Sequence, residues 1–145
     1  MIEDFKKLFL RDLDRLRTEL EAYTNEEDLW VKTEGINNSA GNLIMHLCGN
    51  LQHFIGTVLN ETGYVRQREF EFEGRMIFDQ LMKQVEATIK LVSEYFETVE
   101  KEELMSTYPL ELFGHPMTVH YFLMHLQGHL NYHLGQINYH RRILF

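Results

Sequence analysis

Apolar residues recur at every third or fourth position in four stretches of the chain, which is the spacing of one face of an α-helix. The second stretch is apolar over most of its circumference, so we expect it to be buried on several sides. Ser39 and Thr118 precede the second and fourth stretches, where their hydroxyls can cap a helix N-terminus. The four helices predicted in this way cover residues 2–23, 40–59, 74–98 and 119 to about 141.

The connections between these stretches show no sustained strand pattern. We interpret residues 24–38 as an ordered loop and 60–74 as a long connection. Residues 100–116 contain a possible short turn at 102–105, followed by alternating apolar positions that suit either a brief extended pair or an irregular loop. Four long helices without strands predict an all-α fold, a four-helix bundle, in one domain that covers residues 1–145.

Composition and charge exclude several classes of protein. The chain has 145 residues, of which 44% are hydrophobic and 25% charged, which suits one folded domain rather than a disordered segment. A net charge of −8 disfavours nucleic-acid binding, and no stretch approaches the ~20 apolar residues that span a bilayer. The single Cys48 and the acidic start of the first helix favour a cytoplasmic protein without a disulfide.

Histidine is concentrated in the last quarter of the chain. His125, His129 and His133 are four residues apart, a spacing that places the three imidazoles on one face of a helix. Two neutral imidazoles in this arrangement can chelate a transition metal, which then needs at least one more ligand. His46 and His53 on the second helix are candidates. A bundle in which these histidines are only hydrogen-bonded is the alternative.

Two segments carry a resemblance to a known family. Residues 39–50, SAGNLIMHLCGN, and residues 125–137, HLQGHLNYHLGQI, resemble the DinB/YfiT-like superfamily of metalloenzymes, as do the chain length and the Leu29–Trp30 loop. The resemblance implies a four-helix bundle whose divalent metal ion, zinc, nickel or iron, is bound by His46, His129 and His133. It also implies open coordination positions for water or substrate.

The same resemblance leaves the neighbouring residues with less definite roles. His125 is interpreted as lining the pocket, while His53 is a fourth ligand, a proton carrier or a packing residue. Many relatives have arginine where this chain has Leu134, so a substrate-anchoring role of that arginine would need another residue.

Other polar side chains near the predicted ligands have both a functional and a structural interpretation. Asn50, Gln136 and Tyr132 can hydrogen-bond an imidazole, although ordinary helix packing explains them as well. The cations of residues 66–68 suit an anionic substrate or a solvated loop, and Cys48 is interpreted as a core residue. His115, His120 and His140 have no partner at metal-binding spacing and are expected in loops or at the surface.

The resemblance and the predicted metal site together suggest two activities, and a protein without catalysis is the alternative. A metal-dependent enzyme of this kind acts on a small electrophilic molecule, either as a thiol-dependent S-transferase that uses a low-molecular-weight thiol or as a hydrolase. The alternative is a non-catalytic, stress-related protein with a structural or vestigial histidine site. We expect a small-molecule substrate, no nucleic acid or membrane partner, and a homodimer.

Overall fold

Six helices account for most of the chain in the computed structural model, which describes residues 1–145. They are α1 (Ile2–Glu21), α2 (Ala40–Leu51), α3 (Arg68–Glu73), α4 (Phe78–Thr98), α5 (Lys101–Met105) and α6 (Val119–Leu144). The axis of α2 continues through a π-helical stretch, Gln52–Thr57, and a last turn, Val58–Asn60. No strand is present, so the all-α prediction is confirmed.

The connections differ from the prediction in four places. The segment 24–38, predicted as an ordered loop, contains a 3₁₀ helix, Glu26–Trp30. The segment 60–74 contains α3, a helix of six residues that is too short to show a hydrophobic period. The turn predicted at 102–105 is the helix α5. The extended pair considered for residues 100–116 is reduced to one isolated bridge between Thr107 and Thr118.

The four long helices pack around one contiguous apolar core. α1 packs beside α4 and α6, and α2 packs beside the same two helices. α1 and α2 therefore lie on opposite corners of the bundle, and the long connections after α1 and α4 cross the ends of the bundle. No helix combines the length and apolarity required to cross a membrane.

Side-chain caps fix the starts of α2 and α6. The Ser39 hydroxyl accepts a hydrogen bond from the backbone N–H of Asn42 at 3.2 Å, and the Thr118 hydroxyl accepts one from the backbone N–H of Tyr121 at 3.0 Å. Both caps match the sequence prediction. Because α2 and α6 carry the clustered histidines, these caps set where the histidine faces begin.

A buried carboxylate sets the contact between α1 and α6. Asp12 on α1 is fully buried and accepts hydrogen bonds from Gln127 and Asn131 of α6. Arg11 and Arg15 complete the ion pairs of this carboxylate. This network occupies the α1-facing side of α6, which leaves the histidine side of α6 directed towards α2.

His140 is buried, contrary to the expectation of a loop or surface residue. Its Nδ1 lies 2.7 Å from the Tyr23 hydroxyl, and its Nε2 donates to the Val31 carbonyl at 2.8 Å. The imidazole thus ties the loop after α1 to the end of α6. The spacing of histidines along the chain can indicate a metal site, but it does not predict a hydrogen bond to a residue more than 100 positions away.

Candidate metal centre

The packing of α2 against α6 brings three histidines together. His46 projects from α2, and His129 and His133 project from successive turns of α6. One ring nitrogen of each lies within 4.8 Å of the other two. His46 is buried, with 7% exposure, whereas His129 and His133 are partly exposed, so the cluster lies between the two helices and reaches the surface on the α6 side.

The closest pair of ring nitrogens has the spacing expected of two ligands on one ion. The Nε2 atoms of His46 and His129 are 3.1 Å apart. Two nitrogens that are each about 2.0–2.1 Å from a zinc ion are separated by about 2.9–3.4 Å at angles between 90° and tetrahedral. The pair therefore fits a shared transition metal.

Two of the three imidazoles have an oxygen partner on the outer ring nitrogen. His46 Nδ1 lies 3.1 Å from Glu71 Oε1, and because a carboxylate only accepts, Nδ1 carries the proton and Nε2 a free lone pair. His133 Nδ1 lies 2.7 Å from Gln136 Oε1, which directs its Nε2 into the cluster in the same way. His129 Nδ1 is buried and has no partner. Such outer partners are typical of metal-binding histidines.

Glu71 is itself held in place by an arginine. Arg66 donates from Nε and Nη2 to the two carboxylate oxygens, each at 2.9 Å. Burial alone would raise the pKa of Glu71, but hydrogen bonds from His46 and Arg66 hold this pKa below its usual range. The carboxyl group therefore stays ionised and acts as an acceptor for His46.

One face of α2 is shaped to receive α3 and its glutamate. The side-chain amide of Asn42 donates from Nδ2 to the backbone carbonyls of Glu71 and Gly74 at 3.1 and 2.9 Å, which anchors α3. Gly49 lies against the Glu71 carboxylate, and a Cβ at Gly49 would collide with its Oε2 atom. Asn42, His46 and Gly49 are spaced by four and three residues, so the anchor, the imidazole and the gap lie on one helix face.

Burial favours the neutral form of the two α6 imidazoles, which is the form that binds metal. Burial, followed by the charges of His133 and His46, lowers the pKa of His129 to about 3. Burial also lowers the pKa of His133, against the opposing effect of the Gln136 hydrogen bond. A donor set of three histidine ring nitrogens suits zinc, nickel or iron better than calcium or magnesium.

A cavity of about 280 Å³ opens beside the cluster, with His46 and His129 in its wall. Asn50 lines it one turn after His46, and His125 lines it one turn before His129. A molecule in this cavity would therefore lie against the imidazoles, since α2 and α6 contribute both the clustered histidines and the residues that line the cavity.

The comparison with family models decides the family. The model of the DinB superfamily matches residues 8–137, which reach from α1 into α6 and include the three clustered histidines. The chain belongs to the DinB superfamily. A comparison with curated proteins found none that matches.

The sequence-predicted residues of this DinB-superfamily chain separate into two groups. His46, His129 and His133 come together, Gln136 hydrogen-bonds His133, and His125 and Asn50 line the adjoining cavity. Three others lie outside the histidine cluster: His53, which packs against Phe54; Tyr132, which is 66% exposed; and Leu134, which is buried in the core.

Cys48 is placed as predicted for a packing residue. Its side chain is 2% exposed, and burial raises the pKa of the thiol to about 12. A thiol with such a pKa stays protonated at neutral pH and is a poor nucleophile.

The sequence interpretation of the DinB-superfamily site missed Glu71 and the ion pair of Arg66. Both residues lie in the segment 60–74, where no periodicity indicated a helix. Their spacing of five residues resembles no metal-site motif. The one available signal was the pair of cations at 66 and 68, of which Arg66 turns out to neutralise a buried carboxylate.

Proposed function

We propose that this protein is a divalent-metal-dependent enzyme that acts on a small electrophilic molecule, as a thiol-dependent S-transferase or as a hydrolase. The metal ligands of the proposal are His46, His129 and His133. The observation that carries it is the convergence of three imidazoles, two of which have their outer nitrogen hydrogen-bonded to an oxygen.

The number of histidines in the cluster favours catalysis over a structural role. Structural zinc usually has four protein ligands, whereas catalytic zinc has three and an open position. His53, the candidate for a fourth ligand, lies outside the cluster. A divalent ion with an open position supplies Lewis acidity and lowers the pKa of a bound water or thiol towards neutrality.

The surrounding residues of the chain orient the site and limit access to it. Glu71 and Gln136 fix the tautomer and the ring plane of His46 and His133. The Phe72 ring packs 4.7 Å from the His46 ring and covers it. Cys48 is buried with a raised pKa, so a reacting thiol has to arrive as a second substrate, and the cytoplasm expected from the sequence keeps such thiols reduced.

An assay of thiol transfer tests the proposal. Protein that has been stripped with a chelator and reloaded with zinc, nickel or iron is incubated with a chromogenic electrophile and a panel of low-molecular-weight thiols. We expect turnover that depends on the added metal, and a loss of about 10²-fold or more in the His129→Ala variant. His120→Ala, a histidine of α6 outside the cluster, is the matched control.

The other outcomes of this assay are equally decisive. Metal-dependent release of the leaving group without any thiol selects the hydrolase. Full metal occupancy without turnover of any electrophile contradicts an enzyme and supports the non-catalytic metal-binding alternative.

A further inference from the structure

The cavity beside the histidine cluster differs in charge from the rest of the molecule. The chain contains 22 acidic and 14 basic residues, yet none of the eleven residues around this cavity is acidic. Two of them, Arg66 and Arg68, are arginines. A cavity of this kind in an acidic protein attracts anions, because the one carboxylate seen to bond its lining, Glu71, is compensated by Arg66.

The two arginines are not equivalent. Arg66 is paired with both carboxylate oxygens of Glu71, so its charge is already compensated inside the protein. Arg68 forms no ion pair, and its guanidinium stacks 5.2 Å from the centre of the Phe72 ring. The exposed Arg68 is thus held at the cavity by an aromatic ring while its hydrogen-bond donors stay free for a ligand.

The rest of the cavity wall is mostly apolar and aromatic. It is built from Phe54 of the π-helical stretch, Phe122 and Leu126 of α6, and Leu112 and Phe113 of the loop before α6. Phe113 is 42% exposed and Leu112 is 44% exposed, so the loop presents apolar surface at the cavity instead of burying it. The hydrophobic effect favours a ligand that covers this surface.

Asn50 supplies a third, independent indication of a ligand. This residue is 7% exposed and is one of those that line the cavity. Its Oδ1 atom is buried without a hydrogen-bond partner in the protein. Since a buried polar group without a partner costs free energy, the amide fits a polar group of a bound molecule.

We propose that this cavity binds a small organic anion: its anionic group pairs with Arg68, its apolar body contacts the Phe54, Phe113 and Phe122 rings, and its polar group bonds Asn50. The cavity volume of about 280 Å³ lies near the lower end of ligand pockets, which suits a molecule with one ring and a short chain. That this anion is the electrophilic substrate rests on the proposed function, whereas its binding does not.

The test compares an acid with its neutral analogue. 3-Phenylpropionate and 3-phenylpropionamide are titrated into isotopically labelled full-length protein at low salt, and Kd is obtained from amide shifts around the cavity. We expect the acid to bind about fivefold or more tightly than the amide, and the preference to disappear in Arg68→Gln. Arg68→Lys should retain part of it, and Arg75→Gln, at an arginine outside the cavity, should retain all of it.

Two further variants separate the remaining contacts. Asn50→Leu, which is similar in size, and Phe113→Ala should each weaken both probes by about threefold or more without removing the preference for the acid. Equal affinity for the two probes, a preference that survives Arg68→Gln, an equal loss in Arg75→Gln, or no shifts at the cavity would each overturn the proposal.

The titration is run on chelated and on zinc-loaded protein, so that the two proposals fail separately. Arg68-dependent binding to the chelated protein supports the anion site even if the protein has no metal-dependent activity. Binding of the acid that occurs only with zinc, and that ignores Arg68, shows direct contact with the ion and overturns the anion site while leaving the enzyme proposal intact.

Discussion

At the scale of single residues, the geometry of the site depends on a carboxylate that is not among the histidines. Glu71 fixes the Nδ1 proton of His46 and thereby turns Nε2 towards His129. Arg66 holds this carboxylate by bonding both of its oxygens. The position of His46 is therefore determined by a chain of contacts that begins in the segment before α3.

Replacement of Glu71 by glutamine tests this dependence. Mutation of the outer partner of a ligating histidine typically weakens metal affinity by about 10- to 100-fold, and we expect Glu71→Gln, which removes the charge of the acceptor and leaves Arg66 without its ion pair, to fall in this range. The measurement is zinc affinity by competition with a chromophoric chelator. The control is Glu69→Gln, which removes the same charge at an exposed glutamate of α3. Equal zinc affinities of the two variants would contradict the role of Glu71.

Some residues of the site could be predicted from the sequence, and others could not. The spacing of His129 and His133 is local, so the chain alone places these two imidazoles on one face of α6. The pairing of His46 with them was implied by family resemblance and depends on how α2 packs against α6. Glu71 and Arg66 escaped prediction because the long-range contacts of an aperiodic segment leave no local pattern in the sequence.

At the scale of helices, α3 is positioned by two features of α2. Asn42 bonds the carbonyl at the end of α3, and Gly49 leaves space for the Glu71 side chain. The hydrophobic pattern predicted the four long helices closely, because each has many turns over which a period can be read. It did not predict α3 or α5, whose six and five residues offer no such repeat.

The fit between α2 and α3 can be tested with one methyl group. Gly49→Ala places a Cβ against the Glu71 carboxylate, which has to move away from His46. We expect lower zinc affinity, as in Glu71→Gln, and lower stability. Gly128→Ala in α6, where a Cβ meets nothing within 4 Å, should instead stabilise the protein by about 0.4–1 kcal/mol.

Chelator competition and urea unfolding of both alanine variants provide the measurement. Unchanged zinc affinity in Gly49→Ala, or the same loss in Gly128→Ala, would contradict the account of α3.

At the scale of the whole molecule, burying neutral histidines couples stability to pH. The pKa of His129 is about 3 in the fold, against about 6.5 in an unfolded chain, so the unfolded chain binds this proton more readily. The stabilisation is complete above about pH 6.5 and is lost as the pH falls from there towards 3. Between pH 7 and 5 the paired carboxylates contribute little, because their ordinary pKa values are lower.

Urea unfolding of metal-free protein at pH 7 and pH 5 measures this coupling. We expect the free energy of unfolding to fall on acidification, and to fall less in His129→Gln by on the order of 1 kcal/mol, since solvent screening of the partly exposed ring reduces the full linkage. His115→Gln, at an exposed loop histidine, is the control. The same pH dependence in wild type and His129→Gln would contradict burial of a neutral imidazole.

The assembly of the molecule was also predicted from the family resemblance. The expected homodimer stays a prediction. An exposed strip of α6 carries Tyr121, Met124, Tyr132 and Tyr139, and the Tyr132 ring lies 5.2 Å from the His133 ring.

We have proposed that His46, His129 and His133 bind a divalent ion, and the metal stoichiometry of the protein is the direct test of this binding. Untagged protein is stripped of metal with a chelator, reloaded with zinc and desalted. Its zinc content is then measured by inductively coupled plasma mass spectrometry. We predict about one ion per chain in wild type, His53→Ala and His125→Ala, and a large loss in His46→Ala, His129→Ala and His133→Ala. Full retention of zinc in all three ligand variants would contradict the account.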